Sequence, residues 1–156
     1  MRKILVSECL YGEKRVRYDG KKKEESHPLF LKWKKEGRLV PVCPEVFGGL
    51  PVPRPDAQRR GNRIINRNGE DVTAEYTAGA REALRLANEH DVLFCIMKQN
   101  SPSCGSRQIY DGSFSGRKIP GEGLAVEMLR SEGYKVFGED EMEEAADYFE
   151  KVDNSI

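Results

Sequence analysis

No run of apolar residues in this 156-residue chain approaches the length of a membrane span, and the N-terminal MRKILVSECL holds too short an apolar stretch for a secretory signal. Net charge is also absent. The chain has 26 Lys plus Arg against 26 Asp plus Glu, so no overall field draws in nucleic acid. The charge is uneven, basic between Lys14 and Lys35 and acidic over 139–150, a pattern that fits solvated surface. There is no internal repeat and no low-complexity tract. Histidine is scarce: His27 and His90 are the only two, and neither is near a cysteine in sequence. A histidine-built metal centre or a Cys–His nucleophile pair therefore has little to draw on. What remains is a cytoplasmic chain of one domain, residues 1–156, with an ordinary soluble balance of 38% apolar and 33% charged residues.

What is present alternates between two periodicities. KILVS, 3–7, reads as a buried strand, followed by a loop from Glu8 to Gly20 with a turn signal at Asp19-Gly20. Pro28 opens a helix that runs to Glu36 and is ended by Gly37, and RLVPV, 38–42, is a second strand that stops before Cys43. From Pro44 to Pro55, PEVFGGLPVPRP carries four prolines and two glycines and predicts an extended, irregular loop. A loop of that kind in a compact domain usually carries function. NRIIN and EDV around Asn68-Gly69 predict a hairpin over 62–72, and Thr73 is placed to cap a helix from Ala74 to about His90. DVLFCIMK, 91–98, is apolar on both faces, as a central parallel strand must be. After a polar stretch to Pro120 come a helix from about Glu122 to Ser131, a strand in YKVFG and a last helix in EDEMEEAADYFEKV. Strands alternating with helices predict an α/β fold: an open, mostly parallel, Rossmann-like sheet with helices on both faces.

Four cysteines, far apart in a reducing compartment, read as thiols or metal ligands rather than a disulfide framework. Cys95 lies inside the strong strand as a small buried hydrophobe. Cys9 and Cys43 instead follow directly after strands, and Cys104 sits in the loop NSPSCGS after a third. Parallel strands share one carboxyl edge, so these three sulfurs converge there. Such a triad suits zinc or an iron–sulfur cluster. A closed zinc site wants a fourth strong ligand, and its lack leaves the open position a catalytic centre needs. Glu45, two residues past Cys43, reads as a proton-handling group or as a carboxylate favouring a helix start after Pro44, and the two roles can coexist. Ser101 and Ser103 beside Cys104 either hydrogen-bond substrate or sulfur or cap their loop. Arg17 and Asp19 in RYDG, and Asp111 in YDG, are substrate-binding candidates or turn residues. Arg54 either reaches a carbonyl or phosphate of a ligand or is solvated.

The runs LVSECLYG with RVRYDG, PVCPEVFGGLPVPRP, NGEDVT and MKQNSPSCGSRQIYDGSFSG together resemble a bacterial and archaeal family first known only as a domain of unknown function and associated with thiouracil desulfidase. The likeness covers most of the chain, from residue 4 to about 125. It implies a 4Fe–4S cluster held by Cys9, Cys43 and Cys104, with one iron free to take the sulfur of a thiolated nucleobase. Water then replaces that sulfur at carbon without redox change, and hydrosulfide leaves. It also implies acid–base roles for Glu45 and for Ser101 or Ser103. Glu8 stands where the family usually has a small residue, so a carboxylate there would lower the cluster's potential or change what the pocket accepts. Three other readings compete. One is a cysteine-ligated zinc module without catalysis, another a hydrolase using Cys104 as nucleophile, and the third a site for thiolated tRNA served by the basic segment. Oligomeric state is not legible.

Overall fold

The computed structural model describes residues 1–21 and 24–153, so Lys22 and Lys23 of the basic segment lie outside the described residues. In chain order the first elements are β1 (Ile4–Ser7), α1 (Glu8–Tyr11), α2 (Pro28–Lys35), β2 (Leu39–Val42), α3 (Pro44–Phe47), β3 (Ala57–Arg60) and β4 (Arg63–Asn66). They are followed by α4 (Thr73–Glu89), β5 (Cys95–Met97), β6 (Gln108–Tyr110), β7 (Lys118–Pro120), α5 (Leu124–Ser131), β8 (Val136–Gly138) and α6 (Met142–Asp153). Among the described residues no helix is long and apolar enough to cross a membrane.

The central sheet has the order β2-β1-β5-β8, and each adjacent pair is parallel. Side chains alternate across a strand. Leu5, Cys95 and Met97 point to one face, where Ala80, Ala83 and Ala87 of α4 and Ala125, Val126 and Leu129 of α5 cover them. Ile4, Val6 and Ile96 point to the other, against Phe30 and Trp33 of α2 and Met142 and Ala145 of α6. Burial on both faces is why these strands read as unbroken apolar runs. The second face is stiffened by edge-on rings, Trp33 to Phe94 at 6.0 Å and Phe94 to Phe137 at 5.6 Å. Helix α2 takes the chain from β1 to β2 on one side, whereas α4 takes it back to β5 on β1's other side. The strand order thus reverses between β1 and β5, which opens a crevice at their carboxyl ends.

Several local expectations change. The chain turns helical at once after β1, so Glu8–Tyr11 form α1, ended by Gly12 in the left-handed region at φ 82° with its N–H bonded to the Glu8 carbonyl. The proline-rich segment is not wholly irregular: Pro44 occupies the first position of α3. The hairpin is displaced. β4 pairs along its length with β3, upstream, while Asn68-Gly69 forms a turn that leaves only an isolated Ile65–Asp71 bridge. The EDV segment leads straight into α4 and has no length to spare for a strand. Thr73 is the first helical residue, not the cap: its N–H donates to Asp71 Oδ1 at 2.9 Å, and its own Oγ1 accepts from the Ile64 N–H at 2.8 Å. The third strand of the sheet shortens to Cys95–Met97, where it pairs with both β1 and β8; before it, Leu93 and Phe94 still bond to Lys3 and Leu5, and Val92, Leu93 and Phe94 stay buried. The polar stretch after Cys104 folds into the antiparallel pair β6–β7. The last two helices begin slightly later than the pattern implies, at Leu124 and Met142.

Helices α3 and α4 meet backbone to backbone. A Cβ at Gly79 would lie 1.7 Å from the Pro44 carbonyl oxygen, and one at Gly48 would lie 1.9 Å from that of Glu75. This contact fixes the Cys43-Pro44-Glu45 segment against the sheet. Gly79→Ala is expected to lower stability in urea by about 1–3 kcal/mol or more, since overpacking here meets main chain and not a pliable side chain. A loss within about 0.5 kcal/mol would mean that α3 shifts freely and is not held by this contact.

Candidate metal and active site

Each of the three edge cysteines is delivered by a different strand. Cys9 lies in the first turn after β1, Cys43 joins β2 to α3, and Cys104 follows β5 in the SPSCG loop. All three line a single cavity of about 410 Å³, and none is in a disulfide. Burial pushes the Cys9 thiol up to about 12. Cys43 raises it further, and Lys98 and Arg17 pull it back. Burial and Glu45 push Cys43 up to about 11, against the main-chain N–H groups of Val46 and Glu45 and the Arg54 guanidinium. Cys104 is raised well above the usual thiol range by burial, with Cys9, Cys43 and Glu45 adding to the effect and the Ser7 hydroxyl opposing it. The three sulfurs therefore lie within electrostatic reach of one another, and each is a neutral thiol at neutral pH. Only a strongly positive, sulfur-seeking centre would strip protons from all three together, and as a donor set they fit one.

The loop around Cys104 is shaped from both sides. Ser101 Oγ accepts from the N–H groups of Ser103 and Cys104, both at 3.0 Å. The first N–H groups of α5 donate outward to the same loop, Leu124 to the Pro102 carbonyl at 2.9 Å and Ala125 to the Ser103 carbonyl at 3.0 Å. Gly123 packs so closely that a Cβ would come 2.3 Å from the Ser103 carbonyl carbon. Ser101 faces the cavity. Its oxygen is committed as acceptor, and its proton has no acceptor among the described residues. Ser103 is fully buried, lies outside the cavity lining, and its Oγ has no partner among the described residues.

Glu45 also lines the cavity and is held from two directions. Arg54 Nε donates to Glu45 Oε1 at 3.0 Å, and the rest of the guanidinium is tied to the Pro51 carbonyl at 3.1 Å and the Val16 carbonyl at 2.8 Å. Arg54 is 9% exposed, so it is a buried strut and not a solvated cation. Tyr76 faces Glu45 from α4, and burial together with that carboxylate keeps the phenol protonated. Arg17 reaches the cavity as well, with a long 3.4 Å contact to Asp19. Asp19 itself accepts from the Lys21 N–H at 2.9 Å and lies outside the lining. Asp111 likewise lies outside, in a turn where it accepts from the Ser113 N–H at 2.8 Å. Glu8 is buried on the cavity wall, with Lys14 Nζ 3.8 Å from its Oε1.

Sequence reading missed several of the lining residues. Ser7, the last residue of β1, donates its hydroxyl to Met97 Sδ at 3.7 Å, accepts from the Lys98 N–H at 2.9 Å and lies near enough to Cys104 to oppose the rise of its thiol. Tyr76 falls on the buried stripe of α4 with Ala80, Ala83 and Ala87, so a phenol among small residues was the available signal. Lys98, paired with Glu139 at 2.8 Å, and the outer wall of Gln58, Tyr110 and Phe114 carried none. Phe114 sits in the left-handed region at φ 59°, a strain of about 1–3 kcal/mol that its surroundings must enforce. Arg67 covers its ring at 4.9 Å and is itself held by Asp56 at 2.7 and 2.9 Å.

Among the described residues no three His, Cys, Asp or Glu side chains lie close enough to hold a single metal ion. One zinc needs its thiolates at about 2.3 Å. Three cysteines lining one shared cavity would instead hold a larger inorganic group between them.

An α/β sheet whose carboxyl edge gathers three cysteines, Cys104 buried and Cys9 and Cys43 half-buried, with a strapped carboxylate and an open cavity, defines a metal-dependent enzyme site of the cysteine-ligated class. The 2-thiouracil desulfurase family matches residues 4–141, and the chain belongs to that family. A solved structure described as the 4Fe–4S-dependent thiouracil desulfidase TudS superposes with a TM-score of 0.90 at 45% identity, over 94% of this chain and 96% of that one. The uncharacterized protein YbbK of Bacillus subtilis (strain 168) is 41% identical over 152 residues, 89% of this chain and 97% of its own length.

In protein freed of metal, Cys9 and Cys43 are expected to react with iodoacetamide at pH 8 at least about 100-fold more slowly than in the unfolded chain. Their rates should climb as pH rises toward 11 and 12, where the folded thiols ionise. Labelling at pH 8 as fast as in denaturant would mean the sulfurs are not buried as described.

Proposed function

We propose that this protein is a 4Fe–4S-dependent desulfidase of thiolated nucleobases, thiouracil or a close relative, replacing C=S by C=O with release of hydrosulfide. The observation that carries the reading is the set of three thiols, from three strands, around one cavity beside Glu45. Membership of the family and the likeness to TudS support it. Cys9, Cys43 and Cys104 hold the cluster, which when bound supplies a soft Lewis acid for sulfur. The remaining work falls to the chain's own groups. Water attacks the thiocarbonyl carbon, the C–S bond breaks, and the two water protons leave, one of them with the sulfur. Glu45 takes the proton from the attacking water, and its straps to Arg54 and Tyr76 aim it. Ser101, with its proton uncommitted, donates to the substrate. Arg17 faces the base from the cavity wall, and Arg54 acts through Glu45 and not directly. Ser103, Asp19 and Asp111 shape loops at the site's margin.

Free thiols support a reducing, cytoplasmic setting. A small-molecule substrate is favoured over tRNA, because the chain has no net charge and cations of the basic segment stand beside carboxylates: Lys14 by Glu8, Arg17 by Asp19 and Lys34 by Glu13. The whole chain, 1–156, serves as one such unit.

Anaerobic reconstitution should give brown protein with iron and sulfide in 4Fe–4S proportion and hydrosulfide release from thiouracil. Serine at position 9, 43 or 104 should abolish both. Glu45→Gln should retain the iron but lower kcat about 100- to 10,000-fold. Colourless protein carrying zinc and inert toward thiolated bases would sink the proposal.

A further inference from the structure

Gln58 in β3 is 6% exposed and forms part of the wall of the cavity that the three edge cysteines share. One terminal atom of its amide accepts from the Gly112 N–H at 3.0 Å and from the Phe114 N–H at 3.2 Å. Two main-chain donors converging on one atom identify it as the oxygen. The opposite end is therefore the NH₂ group, and its two protons have no acceptor among the described residues. The group is not sealed inside protein either, since Nε2 keeps some solvent access and Gln58 lines the cavity.

The orientation is locked. Turning the amide over would break both hydrogen bonds and press NH₂ against two N–H donors. The loop that supplies those donors is itself pinned. Arg60 Nε donates to the Gly112 carbonyl at 2.6 Å, and a Cβ at Gly112, whose φ is 93°, would lie 2.3 Å from Arg60 Cγ. A buried amide donor held rigidly toward a cavity is a recognition element, because any ligand that fails to accept from it leaves it unpaired.

We propose that Gln58 reads the carbonyl left on the pyrimidine ring, so that the site selects thiolated bases bearing a carbonyl acceptor over those bearing an exocyclic amino group. This rests on the reading of the cavity as a thiolated-nucleobase site. An amino group meets two fixed N–H donors and is rejected. 2-Thiouracil and 2-thiocytosine form the matched pair. They share the thiocarbonyl at C2 and differ on one edge: C4 carries a carbonyl acceptor in the first and an amino donor in the second, and N3 carries a proton only in the first, so the Gln58→Glu comparison isolates the part read by residue 58.

Gln58→Glu isolates the effect. One carboxylate oxygen keeps the bonds from Gly112 and Phe114, and the other puts an acceptor where the donor stood. The experiment measures kcat/KM of the reconstituted holoenzyme for the two thiolated bases. Alongside it, calorimetry measures binding of uracil and cytosine, which does not depend on turnover. Wild-type enzyme should favour 2-thiouracil and bind uracil over cytosine. Gln58→Glu should cut both preferences about tenfold or more, or reverse them, at unchanged iron content. Gln58→Met, which removes donor and acceptor together, should lose selectivity without reversing it. Preferences unchanged in Gln58→Glu, or a wild-type enzyme indifferent between uracil and cytosine, overturn the assignment of Gln58 alone. A wild-type holoenzyme that releases hydrosulfide from neither base overturns the function proposed above and this assignment with it.

Discussion

Bringing three thiols to the wall of one cavity is the constraint around which this molecule is arranged. A thiol in a dry pocket keeps its proton, and a second and third nearby make each ionisation harder. Such a cluster is stable as neutral sulfur or as ligand to something strongly positive, and as little else. The parallel sheet makes the arrangement possible. Three strands that run the same way must end on the same side, and the reversal of order between β1 and β5 parts their loops enough to leave a cavity.

The surroundings show how a polar site survives next to an apolar core. Cys104 belongs to the core packing on one face of the sheet, yet its loop carbonyls take the otherwise unpartnered N–H groups that open α5. Arg54 is almost fully covered and still satisfied, because Glu45, Pro51 and Val16 accept from it. A buried pair of this kind is seldom a net source of stability. Its value lies in fixing where the carboxylate points. Tyr76 does the same from α4, and the glycine contact between α3 and α4 keeps that distance short. The outer wall follows the same rule: Gln58 holds a strained loop by its oxygen and leaves its nitrogen to the cavity.

Much of the fold was legible because it rests on local pattern. Apolar runs marked the strands, Pro28 marked a helix start, and cysteines directly after strands marked the edge where a site forms. Less was legible where long-range pairing decides. Asn68-Gly69 is a good local hairpin signal, yet β4 pairs with β3 upstream, and α4 takes the residues after Val72. Ser101 and Ser103 are equivalent in sequence, yet one faces the cavity and the other packs under α5. Asp19 and Asp111 share their Asp-Gly chemistry with real binding residues but spend it on their own loops.

By itself, then, the chain's order of residues determined the class of fold, the three sulfurs and the carboxylate beside them, since those depend on periodicity and on neighbours one or two positions away. Tertiary structure alone decided which polar groups face the cavity and which end of each is free. Ser7 and Gln58 come from elements that carry no local mark of function, and Tyr76 is marked only as a phenol among small residues. Their roles arise only once a phenol faces Glu45, a hydroxyl takes the Lys98 N–H beside Cys104, and two N–H groups from a distant loop fix one amide on the cavity wall.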